Sequence, residues 1–441
     1  MAYKLKLFLI ALISPALLLA QSQQYSLQQA IDYGIENNTQ SKSAALDVAN
    51  AQITVKNRLS AGLPQVDATV DYQNFFKLPT SLLPAEFFGG EVGDFIPVQF
   101  GTEQNLTAGI SASQLLFNGA WIVALNASKE YVDLVNAQQK LTEQDIRKNV
   151  ESAYYSVLIS KEFETLLQKN INNLDKVYFE VKEMLKAGFV EQIDVDRLTM
   201  STLTLNGQLA NAKRQTILAE TFLKYTMGLD INTPITLTDD IDIFTGNANL
   251  VNNDQNYLTR PEFTILNQTM ILNELNIKLK KSMYLPTLAL YASYSQNAQR
   301  NSFNFFDSDE LWFETGLIGV KMQVPIFSGF ERRTSVQAAQ IDYEKAQLNL
   351  LSATQGILLE IEKAKTDYIN AESDFDIQKQ NQELAQKIYD TALIKYREGV
   401  GSSLELNNAE STLYTAQGSY ITALYNLLNT KTALNKSLGY N

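Results

Sequence analysis

From Ala120 to Ala187 the chain contains neither proline nor glycine, and from Phe330 to Glu398 it contains only Gly356. Proline removes a helix donor and glycine costs backbone entropy, so excluding both over such lengths leaves continuous helix as the natural conformation. At about 1.5 Å per residue, roughly 68 residues extend about 100 Å, several times an ordinary globular helix. Apolar residues alternate steps of four and three through Ile146, Val150, Ala153 and Val157, then Leu167, Ile171, Leu174, Tyr178, Val181 and Leu185. The second stretch keeps phase through Ile357, Ile361, Ala364, Tyr368, Ala371, Phe375, Ala385, Tyr389, Ala392 and Tyr396. This is a heptad seam, and its residues are read as packing positions rather than ligand contacts.

The two long helices belong to two copies of one unit. Leu63-Pro64-Gln65-Val66 aligns with Leu285-Pro286-Thr287-Leu288, and Leu116-Phe117-Asn118-Gly119 with Ile326-Phe327-Ser328-Gly329. Gly188 then meets Gly399, Ile193-Asp194-Val195 meets Leu404-Glu405-Leu406, and Gly207, Leu223 and Gly228 meet Gly418, Leu434 and Gly439. Matches in one order at a nearly constant offset indicate duplication. The offset shortens by about eleven residues between the proline and phenylalanine pairs, which places a longer insertion in the first copy between Asn74 and Glu103.

Each copy reads as helix, two strands, long helix and return helix. The leading helices are expected at about Ser26 to Ser60 and Arg260 to Lys281, stopped by Pro64 and Pro286. The periodicity then changes to two. Val66, Ala68, Val70 and Tyr72 alternate with Asp67, Thr69, Asp71 and Gln73, and Leu106, Ala108, Ile110 and Ala112 with polar or small residues. In the second copy Leu288, Leu290, Ala292 and Tyr294, then Ile318, Val320, Met322 and Val324, hold the same places. Strands of about ten residues with one apolar face fit a transmembrane barrel, although a soluble sandwich edge alternates in the same way. Residues 78–102, rich in proline, glycine and aromatics, are expected to form a loop, as is the shorter 297–310. Gly188 and Gly399 end the long helices, because glycine enters the left-handed region without steric cost.

The expected organisation is a signal peptide at 1–20, a first repeat at 21–230, a linker at 231–256 and a second repeat at 257–441. The first repeat carries strands at about 64–75 and 104–117, a long helix at 120–187 and a return helix at 192–227. The second carries strands at about 286–296 and 312–327, a long helix at 330–398 and a return helix at 403–438. The linker holds a short strand at Ile235-Thr236-Leu237 and is expected outside the helical body.

The compartment follows from the first residues. Lys4 and Lys6 precede an apolar run from Leu7 to Ala20, shorter than the roughly twenty residues that span a bilayer. That suits a secretory signal cleaved after Ala20, with a buried helix as the alternative. No cysteine lies near the junction, which leaves no lipoprotein anchor. No other run of eighteen apolar residues occurs, so a helical membrane protein is excluded. The exported chain is then either soluble or inserted as β-strands, and a closed barrel is the only other structure that can span lipid.

With no cysteine and no histidine, the chain has no thiolate nucleophile, disulfide, imidazole metal site or Ser-His-Asp triad. Its net charge of −12, without basic clusters, argues against nucleic acid as a partner. Phosphate-cradling motifs are missing, and no cofactor is expected. Two hairpins supply only four strands, too few to close; three chains supply twelve, which leaves no strand edge in lipid.

At this point the chain resembles the TolC family of outer-membrane efflux proteins. The resemblance rests on the duplicated order of elements, on Arg260-Pro261-Glu262, on the Leu-Phe-Asn-Gly and Ile-Phe-Ser-Gly strand ends, and on two turn motifs. The turns read Lys186-Ala187-Gly188-Phe189-Val190-Glu191-Gln192-Ile193-Asp194-Val195 and Tyr396-Arg397-Glu398-Gly399-Val400-Gly401-Ser402-Ser403-Leu404-Glu405-Leu406. The resemblance implies an α+β membrane protein. Its homotrimer would form a 12-stranded outer-membrane β-barrel on a 12-helix periplasmic α-barrel. It also implies a passive exit duct, not an enzyme, in a tripartite efflux or type I secretion system. The partners are a periplasmic adaptor, an inner-membrane pump of the RND or ABC type, and outer-membrane lipid. The adaptor-docking tips carry over to Gly188, Phe189 and Val190 and to Gly399, Val400 and Gly401.

The periplasmic gate carries over to Glu405, whose first-repeat equivalent is Asp194; Asn408 occupies the place of a second acid, and Arg197 is the basic candidate. Glu405 and Asp194 have two open roles: an acidic ring at the narrow end, or complements to the N-termini of the return helices. Two other functions compete with the duct. A structural envelope-spanning coiled coil would share the heptads but has no need of amphipathic strands. A secreted carboxylate enzyme would need a paired-acid site, and no such pattern stands out.

Overall fold

The computed structural model describes residues 23–246 and 256–439. In chain order the elements are β1 (Gln23–Tyr25), α1 (Leu27–Asn37), α2 (Thr39–Ser60), β2 (Gln65–Asn74), β3 (Thr80–Pro84), β4 (Phe95–Gln99), β5 (Gln104–Asn118), α3 (Gly119–Lys186), α4 (Gln192–Met227), β6 (Ile235–Leu237), α5 (Pro261–Ser282), β7 (Thr287–Arg300), β8 (Phe313–Gln323), α6 (Glu331–Arg397) and α7 (Ser403–Ser437). They form two compact units. One comprises the chain up to Val48 with Leu134–Asn267 and Asn349 onward; the other comprises Ala49–Asp133 and Gln268–Leu348. The proposed signal peptide lies outside the described residues.

The sheet of the second unit runs β2-β5-β7-β8, antiparallel throughout, with β2 and β8 as open edges. Its register sorts the side chains by polarity. Val66, Ala112, Ala292 and Ile318 stand in one row, with Ala68, Ile110 and Tyr294 in another on the same face. The opposite face carries Asp67, Ser111 and Ser293 with Leu317 as the one large apolar member of that row, then Thr69, Gly109, Ser295 and Thr315. On that face the Thr107 hydroxyl donates to Asn297 Oδ1 at 2.7 Å. The apolar face is uncovered: Val70 is 72% exposed and Ile318 76%. Where β5 passes into α3, the ladder shifts register between Leu115 and Phe117, and Asn118 Oδ1 accepts from the Trp121 amide. The Trp121 indole donates to the Arg58 carbonyl at 2.7 Å and packs against Gly62, where a Cβ would stand 2.5 Å from the ring.

Several elements differ from the sequence reading. The helix expected over 26–60 breaks at Asn38, whose backbone is extended and whose Oδ1 accepts from the Gln40 amide; Asn38 Nδ2 donates to the Thr226 carbonyl. An asparagine that caps one helix ends the one before it. The loop at 78–102 contains the β3–β4 hairpin and a 3-10 turn at Ala85–Phe88. The strand expected over 312–327 stops at Gln323, just before Pro325, which has no amide to give a ladder. The preceding strand runs on to Arg300.

The first unit is helical. Ile146, Val150, Ala153 and Val157 of α3 meet Leu223 and Met227 of α4, Ile357 and Ile361 of α6, and Leu424 and Leu428 of α7 in one core. A second core gathers Leu167, Ile171, Leu174 and Val181 with Val195, Leu205, Tyr389, Tyr396 and Leu406. The heptad residues thus bury along both long helices. Arg260, 2% exposed, joins this body through Glu262 at 2.8 Å, Glu360 at 3.0 Å and the Ser437 carbonyl at 3.4 Å.

The segment after α4 does not stand apart from the helices. β6 pairs in parallel with β1, Ile241 is buried in the first core, and Phe244 packs edge-on against Tyr154 at 6.5 Å. The Tyr154 hydroxyl lies 3.1 Å from Asp239 Oδ2 and 3.0 Å from the Tyr25 carbonyl, and Asp239 also accepts from the Leu27 amide. Lys431 of α7 closes the strap by donating to the Phe244 and Gly246 carbonyls. Residues 247–255 lie outside the described residues.

Candidate functional site at the helix turns

The two helix turns are built alike. Gly188 and Gly399 have φ of 80° and 74°, in the left-handed region that lets the chain leave a helix sharply. Gly188 N donates to the Leu185 carbonyl and Phe189 N to that of Met184, the paired bonds of a Schellman turn. Gly399 N to Tyr396 and Val400 N to Lys395 repeat it. Gly401 serves a different end: its amide donates to the Lys395 carbonyl, and a Cβ there would stand 3.0 Å from the Lys395 side chain. Both turns present one large apolar residue to solvent, Phe189 and Val400, each 79% exposed. Val190 turns inward and packs on the second core. An exposed apolar residue at a rigid turn is suited to contact with another protein.

The proposed gate residues are held by local partners. Asp194 accepts from the Glu191 amide at 3.2 Å, so it caps the return helix α4. It also lies 3.9 Å from Arg197, whose guanidinium donates to Ser403 Oγ at 2.8 Å and so joins α4 to α7. In α7 the cap is Ser402, which accepts from the Glu405 amide. The Glu405 carboxylate reaches Lys395 across the turn at 2.9 Å. Asn408 is exposed beside Glu405 along the α6–α7 groove. Sequence reasoning missed a cross-link between the hairpins: Arg397 of α6 holds Glu180 of α3 bidentately, at 2.7 and 2.9 Å. Lys395 and Arg397 both sit in the last turn of α6, a basic pair that the sequence displays. Their partners come from positions far away or across the turn, which the sequence does not. Among the described residues, no group of three or more acidic side chains is placed to hold a metal ion.

A family profile described as Outer membrane efflux protein matches residues 30–229 and 273–440. The chain belongs to this family. As an outer membrane efflux protein it has relatives in both export and secretion. The pyoverdine export outer membrane protein OpmQ of Pseudomonas putida is 21% identical over 421 residues, covering 94% of this chain and 85% of that one. The alkaline protease secretion protein AprF of Pseudomonas aeruginosa is 25% identical over 170 residues, 38% of this chain and 34% of the relative. Among solved structures CusC, described for its transmembrane channel formation, superposes with a TM-score of 0.76 at 17% identity, covering 94% of this chain and 92% of that one. The fold is therefore that of outer-membrane efflux channels, and the protein is an outer-membrane transport protein. No helix among the described residues is long and apolar enough to cross a membrane.

Proposed function

We propose that three copies of this chain form a passive outer-membrane exit duct. The observation that carries this reading is the sheet: four strands with two open edges and an uncovered apolar face. A sheet in lipid must have no edge, so β8 of one copy pairs with β2 of the next and three copies close a twelve-stranded barrel. A second unpartnered surface supports self-association. Met200, Leu203, Ile217, Phe222 and Tyr225 form an exposed stripe on α4, on the side away from its buried seam of Leu198, Leu205, Leu209 and Leu223. Helices with two apolar seams pack on two sides, as twelve helices in a closed ring require. Outer-membrane lipid covers the apolar strand face.

The duct performs no chemistry and needs no cofactor. A periplasmic adaptor docks on Gly188–Val190 and Gly399–Gly401, and an inner-membrane pump of the RND or ABC type supplies the energy. Opening is a population shift, because the adaptor binds the open arrangement of the tips better than the closed one. The contacts across the turns that such a shift would break are Arg397–Glu180, Arg197–Ser403 and Lys395–Glu405. The test is the mass of the protein in mild detergent, corrected for bound detergent, followed by conductance in planar bilayers. A trimer whose conductance changes with Glu405→Ala supports the duct with Glu405 near its narrow end. A stable monomer would sink the barrel.

A further inference from the structure

Above the turns, α4 and α7 enclose a carboxylate that none of these contacts employs. Glu410 of α7 is 3% exposed, and its Oε1 accepts no hydrogen bond. The Tyr414 and Ser201 hydroxyls reach the carboxyl group, but no basic side chain is among the groups that act on its charge. Arg197 lines a small adjoining cleft with Glu410 yet is committed to Ser403 and Asp194. Tyr389 of α6 is pushed up to about 12, first by burial and then by the charge of Glu410, and stays neutral. A buried carboxylate without a counter-charge is strongly unfavourable. Either a proton or a bound cation relieves it.

Glu410 forms one wall of a cleft of about 500 Å³ between α4 and α7. Ser201, Thr204, Gln208 and Asn407 supply hydroxyl and amide oxygens around it, and Met200 and Tyr414 supply a thioether and an aromatic ring. A bare metal ion requires oxygens on every side at about 2.0–2.6 Å, which a space of this size with one carboxylate does not provide. An organic cation matches it better. Its N–H groups meet the oxygens, its charge meets Glu410, and its apolar body rests on the ring and the sulfur. We propose that Glu410 is the charged end of a binding site for small organic ammonium ions in the wall between α4 and α7. The site goes beyond the exit-duct reading and does not depend on conduction.

The test uses the full protein in detergent at pH 8 with dansylcadaverine, a fluorescent monoamine. Saturable binding is expected, displaced by benzylamine but not by neutral benzyl alcohol. Glu410→Gln should weaken it at least tenfold, Tyr414→Leu less, and the exposed Glu383→Gln not at all. Affinity should fall as the pH is lowered, because burial raises the Glu410 pKa and the proton competes with the amine. The same detergent mass for variant and parent shows that assembly is intact, so this outcome reads separately from the duct itself. Equal binding by parent and Glu410→Gln overturns the proposal. So does a parent that binds no amine while Glu410→Gln merely gains heat resistance, since a proton then suffices to relieve the carboxyl.

Discussion

At the residue scale, the buried ions decide how this chain responds to substitution and acid. Arg260 is inaccessible and touches two carboxylates and a carbonyl. Removing it costs its buried packing and hydrogen bonds, while the carboxylates it leaves are partly solvated, so Arg260→Ala should cost about 1–3 kcal/mol, read from denaturant unfolding. Burial pushes Glu262 up, but the Arg260 guanidinium outweighs it and holds the carboxyl below its ordinary value of 4.5. A depressed acid stabilises the fold above its unfolded pKa, and that contribution disappears as the pH falls through the folded one. Stability should therefore drop below about pH 4.5, and Glu262→Gln should flatten that part of the profile and lower stability near neutrality, where the ion pair otherwise contributes in full. Arg260 was visible in the sequence as the first residue of Arg-Pro-Glu, a helix start. Its burial was not, because Glu360 and Ser437 come from helices whose facing sides depend on the packing.

At the scale of elements, the latch between the hairpins is a matter of geometry more than of strength. Arg397 and Glu180 are each more than 40% exposed, so Arg397→Glu should change stability by no more than about 1 kcal/mol. Its effect should appear instead in single-channel recordings as longer open times, and Glu180→Arg in the same protein should restore the parent's closure. The strap behaves oppositely. Tyr154→Phe removes the buried hydroxyl shared by Asp239 and the Tyr25 carbonyl, which should cost about 1–3 kcal/mol with conductance unchanged. Elements of strong period were readable in advance. The heptad residues Leu167, Ile171, Leu174 and Val181 are buried, and the alternating residues of β2 and β8 share one face. What escaped was short or chemically local. Asn38 splits a helix through one side-chain bond, β1 is three residues long, and the β3–β4 hairpin hides in a segment dense with proline and glycine. Of the site residues, the turn glycines were legible because a positive φ favours one amino acid. Arg397–Glu180 was not, since an ion pair between distant helices leaves no mark on either sequence.

At the scale of the whole molecule, the exposed α4 stripe should be dispensable for a single chain and indispensable for the assembly. Met200→Glu with Leu203→Glu places charges in that stripe, and the detergent mass should shift from trimer toward monomer while helix content, read by circular dichroism, is retained. Loss of helix as well would mean that the stripe belongs to the chain's own core. The β1–β6 clasp has a further consequence, which concerns time. Gln23–Tyr25 pairs only with Ile235–Leu237 among the described strands, so nearly all of the first repeat lies between the two partners. A chain delivered N-terminus first carries its opening strand unmatched until more than half of it has arrived, and closing so long a loop is slow. Gln23–Tyr25 is thus among the last parts of the first half to settle. A chain interrupted before residue 235 cannot make this clasp at all, so the knot that finishes the first repeat doubles as a sign that synthesis has passed the midpoint.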